Sequence, residues 1–332
     1  MHPDSARRPT SRTVLLSSLS LILLVACLLS LLTGRGTGLT WPDWDWQTQL
    51  ILWEIRLPRT LLAAVSGAVL GLAGAVLQGW LRNPLADPGI LGVSSTSALV
   101  AVAAMYFGLG TLAWSIPLAG IVGAWSGFQI LLMLTGKESG ILLIILAGAA
   151  INAFCSAMTA LLLNLAPNPF AMQDMMFWMM GSFENRTLDH VALVSAPVIL
   201  GGILLLRTGR ALDLLALGHD TARSLGVSTD RLYRQIGLGC ALAVGASVSV
   251  AGVIGFIGLI VPHLLRPLTR WEPGQLLLPS ALGGAGLLVL ADILVRLMPE
   301  GPELRIGVLT ALLGGPFFLW LLGHVRRQEL MP

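Results

Sequence analysis

The stretch RLPRTLLAAVSGAVLGLAGAVLQGWLRNPLADPGILGV, residues 56–93, decides the fold. Thr60 to Leu81 carries no charge and is long enough to cross a bilayer as a helix. Gly67, Gly71, Gly74 and Gly79 thin one side of it, which lets another helix approach closely. Leu57-Pro58 is expected to start the helix, because proline suits a first helical turn. Asn83-Pro84 and Asp87-Pro88 prevent an ordinary continuation. Such a segment is a packed helix in a polytopic bundle rather than a lone anchor.

The rest of the chain agrees. Of 332 residues, 55% are apolar and only 11% are charged, with a mean hydropathy of +0.82. That is too little charge to cover a soluble surface of this size. The 38 glycines and 18 prolines are ordinary packing and kink residues in a membrane bundle. The net charge of +3 gives no reason to invoke nucleic acid. Cys27, Cys155 and Cys240 each sit in an apolar run without a CxxC spacing, so they read as buried, inert thiols. Arg7, Arg8 and Arg12 precede the apolar run Val14 to Leu32, which lacks a convincing small-x-small cleavage site and reads as an uncleaved first span.

Hydropathy proposes spans at 14–33, 60–81, 90–110, 112–134, 140–165, 191–206, 235–256, 277–297 and 306–323, with a short further piece from Phe256 to Leu265. Hydropathy alone leaves nine or ten crossings open; the distribution of cations favours ten. With both termini cytoplasmic, only Arg35, Arg56, Arg59, Arg186, Arg296 and Arg305 of the 20 basic residues lie outside. A weak internal echo aligns residues 67–84 with 245–262, both glycine-rich and both expected to end at a proline, Pro84 and Pro262.

Several chemistries find no support. An ion-coupled carrier needs intramembrane ionisable groups, and the spans hold Asp292 and little else. Asp292 lies four residues before Arg296, so the plain reading is a helix-face pair near the membrane surface. Gly136-Lys137-Glu138 fails the phosphate-loop pattern. No cluster has metal-ligand spacing, no nucleophile sits beside a base, and no cofactor is expected. His263, in what reads as a proline-flanked turn, is expected to be a structural hydrogen-bonder. The polar stretch 207–234 is cytoplasmic by the charge rule, with short helices expected at Asp220–Leu225 and Thr229–Arg234, Gly226 between them, and Ser228 or Thr229 capping the second. It is either a solvated amphipathic loop or a docking surface for a cytoplasmic partner. AMQDMMFWMMG, residues 171–181, carries five methionines, including Met179 and Met180. They serve either as adaptable core or as a compliant pathway lining.

Seven motifs occur in order: RLPR at 56–59, the run from Gln78 through Asn83 and Pro84 to Val93, FWMMGSF at 177–183, LGHDTARSLGV at 217–227, GFIGLIVPHLLR at 255–266, LADILVR at 290–296, and GVLTALLGGPFFLWLL at 307–322. Together they give a chain that resembles the FecCD-type permeases, membrane subunits of ABC importers for iron-siderophores, haem and vitamin B12. The resemblance spans about residues 14–323. It implies an all-α, polytopic membrane protein of about ten helices with the type II importer architecture, in one domain over 1–332, with a cytoplasmic tail at 1–13. It implies a homodimer in the bacterial inner membrane, surrounded by lipid, with two copies of a separate ATPase on the cytoplasmic face and a periplasmic substrate-binding protein outside. By position, Arg56, Arg59 and Arg296 match the arginines that grip the binding protein; their plain alternative is interfacial snorkelling. The region His219 to Arg231, with Leu217, Gly218, Asp220, Ala222, Arg223, Ser224, Leu225 and Gly226, matches the ATPase-coupling element. Gly67, Gly71, Gly74, Gln78, Gly252, Pro262 and His263 fall to helix packing or the pathway. The chain departs from the family pattern at Glu303-Leu304-Arg305-Ile306-Gly307, where a proline is usual before the final x-Gly, and at Ser94-Ser95-Thr96-Ser97, where glycine is usual. The cargo expected first is a ferric siderophore, with vitamin B12 or haem second. A secondary transporter acting alone is the rival of another class, and a membrane enzyme lacks any catalytic cluster.

Overall fold

The computed structural model describes residues 12–34, 38–39, 45–111, 114–136, 140–298 and 304–329, with backbone only at 38–39, 111, 322 and 324–329. The expectations on Arg7, Arg8, Arg35, Lys137 and Glu303, and on the Arg326 and Arg327 side chains, lie outside the described residues.

The chain is an all-helical bundle. Its helices are α1 Arg12–Leu32, α2 Trp46–Ile51, α3 Leu57–Trp80, α4 Val93–Tyr106, α5 Ser115–Thr135, α6 Ile141–Asn164, α7 Pro169–Met179, α8 Leu188–Leu206, α9 Gly209–Ala216, α10 His219–Ser224, α11 Thr229–Ala251, α12 Ile257–Leu265, α13 Pro273–Leu297 and α14 Ile306–Glu329. The strands among the described residues form a two-residue hairpin, Thr33–Gly34 against Gly38–Leu39. Among those residues seven helices are long and apolar enough to span a membrane, and three shorter apolar stretches join them: α4, α12 with its following turn, and Ile306–Leu321 of α14.

α3 and α11 form the centre. α3 packs on α13, α12, α11 and α8, while α11 packs on α8, α5 and α4. The glycine stripe explains the closest of these contacts. A Cβ on Gly67 would lie 2.2 Å from the Gly284 carbonyl oxygen, one on Gly71 2.2 Å from that of Ser280, and one on Gly74 1.9 Å from that of Gly258. Backbone meets backbone there, so dispersion contacts replace side-chain packing. The Ser94–Ser97 departure is accommodated in the same way from the other side. Thr96 Oγ1 donates to Gly92 or Val93 O at 3.1 and 3.0 Å within α4. A Cβ on Gly127 of α5 would meet that same oxygen at 2.1 Å.

Four expectations are corrected. Leu57-Pro58 does not start its helix: α2 runs through a π-helical turn, Leu52–Arg56, directly into α3. Pro58 has no N–H for the Glu54 carbonyl and its ring crowds that oxygen, so the turn widens and the Leu57 N–H bonds Leu52 O instead. Thr229–Arg234 is not a short helix but the first turns of α11, which Ser228 caps by accepting from the Arg231 N–H. The 67–84 and 245–262 echo is not structural. α3 stays helical past Gly74, whereas its counterpart Gly252 ends α11 at φ +73°, and Pro262 sits inside α12 rather than after it. His263 is likewise inside α12, edge-on to Phe317, and not in a turn.

α12 has nine residues, about 14 Å of helical rise and less than half a hydrocarbon core. The chain reaches it through Gly252–Phe256, a non-helical segment with Phe256 at φ +67°. Irregular backbone at membrane depth survives only when protein buries it or a cavity hydrates it. Here the Ser182 N–H donates to Ala251 O at 2.8 Å, and the ends of α7, α11 and α14 are tied together by Ile306 N–H to Gly181 O and Gly307 N–H to Met180 O. A Cβ on Gly252 would strike Trp178 O at 2.2 Å.

Candidate functional site

At the end of the bundle where α1, the π-turn and the end of α13 meet, one carboxylate holds two guanidiniums. Arg59 Nε donates to Asp292 Oδ1 and Oδ2 at 3.0 and 3.1 Å, and its Nη2 donates to Oδ1 at 2.9 Å. Arg296 Nε lies 3.1 Å from Asp292 Oδ2 as an ion pair. Arg296 Nη1 donates to Ser30 O at 2.8 Å and Thr33 O at 3.0 Å, and Nη2 donates to Ser30 Oγ. Ser30 Oγ and Thr60 Oγ1 are 2.6 Å apart and share a hydrogen bond. All three ionic groups are buried: 7% of Arg59, 1% of Asp292 and 3% of Arg296 is exposed. These arginines neither snorkel nor stand free, because Asp292 reaches across from α13 to α3. Arg56 is half-buried and donates from Nη1 to Leu31 O at 2.9 Å.

Arg56, Arg59 and Arg296 nonetheless share the wall of one cavity of about 640 Å³, with Glu54, Glu184 and Arg186. Arg186 is the cation that sequence reasoning did not single out. Its Nε is buried without a hydrogen-bond partner. Burial, and then the neighbouring Arg305 charge, draw its pKa below the usual guanidinium range. Arg305, the departure noted above, donates to Glu184 Oε2 at 2.9 Å and lies 5.0 Å from the centre of the Phe177 ring. The basin therefore gathers four arginines, Arg56, Arg59, Arg186 and Arg296, on one wall with Glu54 and Glu184.

A second cavity, about 770 Å³, opens on the flank formed by α4, α6, α7 and α14. Ser95, Ser156, Thr159, Met179, Met180, Val253 and Ala311 are among its walls. Of the five methionines, only Met175 is buried; Met172, Met176 and Met180 are exposed. The stretch is a surface lining rather than core. Asn152 braces this wall from α6, donating from Nδ2 to Gly89 O at 2.9 Å while its Oδ1 accepts from Ser95 Oγ.

At the opposite end lie the elbow and the polar stretch. Asn83 Oδ1 accepts the Leu85 N–H at 2.9 Å, and Ala86 N–H donates to Asn83 O, which turns the chain ahead of the Pro88–Leu91 3₁₀ turn. Pro84 follows at the bend. Pro262 supplies no N–H for the Gly258 carbonyl; Gln78 Nε2 donates to that oxygen at 3.2 Å and to Leu259 O at 3.3 Å, while Arg266 Nη2 donates to Gln78 Oε1. Gln78 thus holds α12 on α3. α10 stands between two glycines of positive φ, Gly218 at +113° and Gly226 at +89°. Ala222 is its buried anchor. Leu217 and Leu225 are 64% and 56% exposed at its flanks, and His219, Asp220, Arg223, Ser224 and Arg231 are exposed with them. Behind α10, Trp80, Tyr233, His219, Asp220 and Arg223 enclose a cavity of about 360 Å³. α9, which lies in the stretch read as a polar segment without a helix there, is pinned to α13 by the Gly274 N–H donating to Asp213 Oδ1 at 2.7 Å.

A helical membrane bundle with a largely apolar, methionine-bearing flank cavity, a cationic basin at one end and a glycine-hinged helix at the other is a multi-pass permease. Residues 22–324 match the FecCD transport family, and the chain belongs to that family of ABC-importer permeases. The vitamin B12 import system permease protein BtuC of Salmonella arizonae is 40% identical over 323 residues, 96% of each chain. That of Salmonella paratyphi A is 41% identical over 96% of this chain and 97% of its own. A solved structure described as an inward-facing conformation of a putative metal-chelate type ABC transporter superposes with a TM-score of 0.86 at 33% identity, covering 94% of this chain and 99% of that one.

Proposed function

We propose that this permease carries vitamin B12, the second of the cargoes expected from sequence, rather than a ferric siderophore. The observation that carries the reading is the near-full-length identity of 40–41% to permeases named for vitamin B12 import. The likeness to a metal-chelate transporter supports the wider class of large chelates. In this reading the chain pairs with a second copy through the flank of α4, α6, α7 and α14, so that two cavities of about 770 Å³ face each other as the pathway. Exposed Phe154, Leu161, Leu312 and Leu319 on α6 and α14 suit such burial. Two ATPase subunits dock at α10 and its flanks, and a periplasmic binding protein docks over the arginine basin with acidic side chains. Charge there sets register and capture rate more than affinity.

The test is uptake of labelled cobalamin against labelled ferric siderophore in a strain lacking this permease and carrying it back on a plasmid. Restored cobalamin uptake alone is expected. Restoration of siderophore uptake without cobalamin overturns the cargo and leaves the permease class intact.

A further inference from the structure

We propose that the pocket between the end of α8 and the start of α11 is a binding site for the phosphate headgroup of an anionic phospholipid. It is a cavity of about 440 Å³ whose walls include Arg207, Arg210 and Arg231, with no carboxylate among its lining residues. All three arginines are exposed. Arg234, nearby on α11, is matched by Asp230 at 3.2 Å and does not line it. Gln235 is already committed, donating from Nε2 to Leu204 O at 2.8 Å, which closes the C-terminal turn of α8 and fixes the pocket's back wall. Leu214 and Leu225 complete an apolar rim.

Position and charge select the occupant. The last turns of α8 expose Ile199, Leu200, Ile203 and Leu206, an apolar track that leads straight to Arg207. Acyl chains can lie along that track while the phosphodiester sits among the three cations. Basic pockets between helices at the cytoplasmic membrane surface hold anionic headgroups in this way. The site rests on the cytoplasmic placement of this end and is independent of the cargo.

The experiment uses the full-length permease, delipidated in a neutral detergent and titrated with phosphatidylglycerol or phosphatidylcholine while bound lipid is counted by native mass spectrometry. Phosphatidylglycerol is expected to bind at least tenfold more tightly. Each of Arg207→Gln, Arg210→Gln and Arg231→Gln is expected to weaken it about fivefold, and Arg270→Gln, outside the pocket, to leave it unchanged. Equal binding of both lipids, or undiminished phosphatidylglycerol binding in all three variants, overturns the proposal. So does stabilisation by inorganic phosphate equal to that by the lipid, which marks a free-anion site. Unchanged lipid binding with loss of ATPase co-purification assigns the pocket to the protein partner and overturns it as well.

Discussion

Asp292 carries more of this protein than its place in the sequence suggests. One buried carboxylate pairs with two buried guanidiniums, and the Ser30 hydroxyl with the backbone oxygens of Ser30 and Thr33 takes up further donors of Arg296. Removing one partner from such a set leaves a charge without compensation in a poor solvent. Asp292→Ala strands two like charges and is expected to cost about 3–5 kcal/mol, more than Arg59→Gln, which leaves the Asp292–Arg296 pair intact. Thermal unfolding of both variants in detergent checks the order; equal losses would mean that Asp292 does not hold both arginines. The Asp292–Arg296 half was legible from the four-residue spacing. The Arg59 half was not, because 233 residues separate it from Asp292 and only the crossing of α3 with α13 brings them together. Arg186 was placed on the outer side with the others but not grouped with them, for the opposite reason: no spacing marks it, and only the cavity brings it to the same wall as Arg56 and Arg296.

At the scale of elements, the glycine stripe of α3 was readable because a helix shows every third or fourth residue on one face. What it packs against was not. Gly67→Ala places a methyl 2.2 Å from the Gly284 oxygen and is expected to destabilise by about 1–3 kcal/mol or more through forced backbone separation. Gly202→Ala, in α8 with nothing within 4 Å of its added carbon, is expected to stabilise by about 0.5–1 kcal/mol. A pair of melting curves with the same sign for both would refute the packing argument. Hydropathy set the span at 235–256, but Ser228 capping and Gly252 breaking set the true helix at Thr229–Ala251. Apolar content does not stop at a helix end, whereas capping and positive φ do. α9 went unread for a different reason: Arg207, Arg210 and Asp213 made its stretch look like a polar loop, although Leu212 and Leu215 are buried.

Across the whole molecule, the apolar segments carried most of the helical architecture, since lipid demands internally satisfied backbone. Sidedness is open to direct measurement in a cysteine-free background. Leu217→Cys beside α10 is expected to react with a membrane-impermeant maleimide only once inverted vesicles expose the cytoplasmic face. Asn185→Cys beside the arginine basin is expected to react on intact spheroplasts. The reverse pattern would invert the topology and move both partner surfaces. The flank cavity could not be read from sequence at all: its walls come from four helices, and only the methionines of α7 hinted that something adaptable was needed there.

The widened turn at Leu52–Arg56 behaves as a phase slip. It houses one residue more than an α-helical turn, so everything outward of it, from Trp46 to Ile51, is rotated by about 100° relative to an unbroken helix. Trp46 and Leu50 on this segment are exposed, as is Trp53 within the turn, and Arg56 reaches α1 by donating to Leu31 O. Deleting a single residue from this turn would leave α3 in place and swing the tip like a vane. Length, not composition, is what aims the rim of the basin.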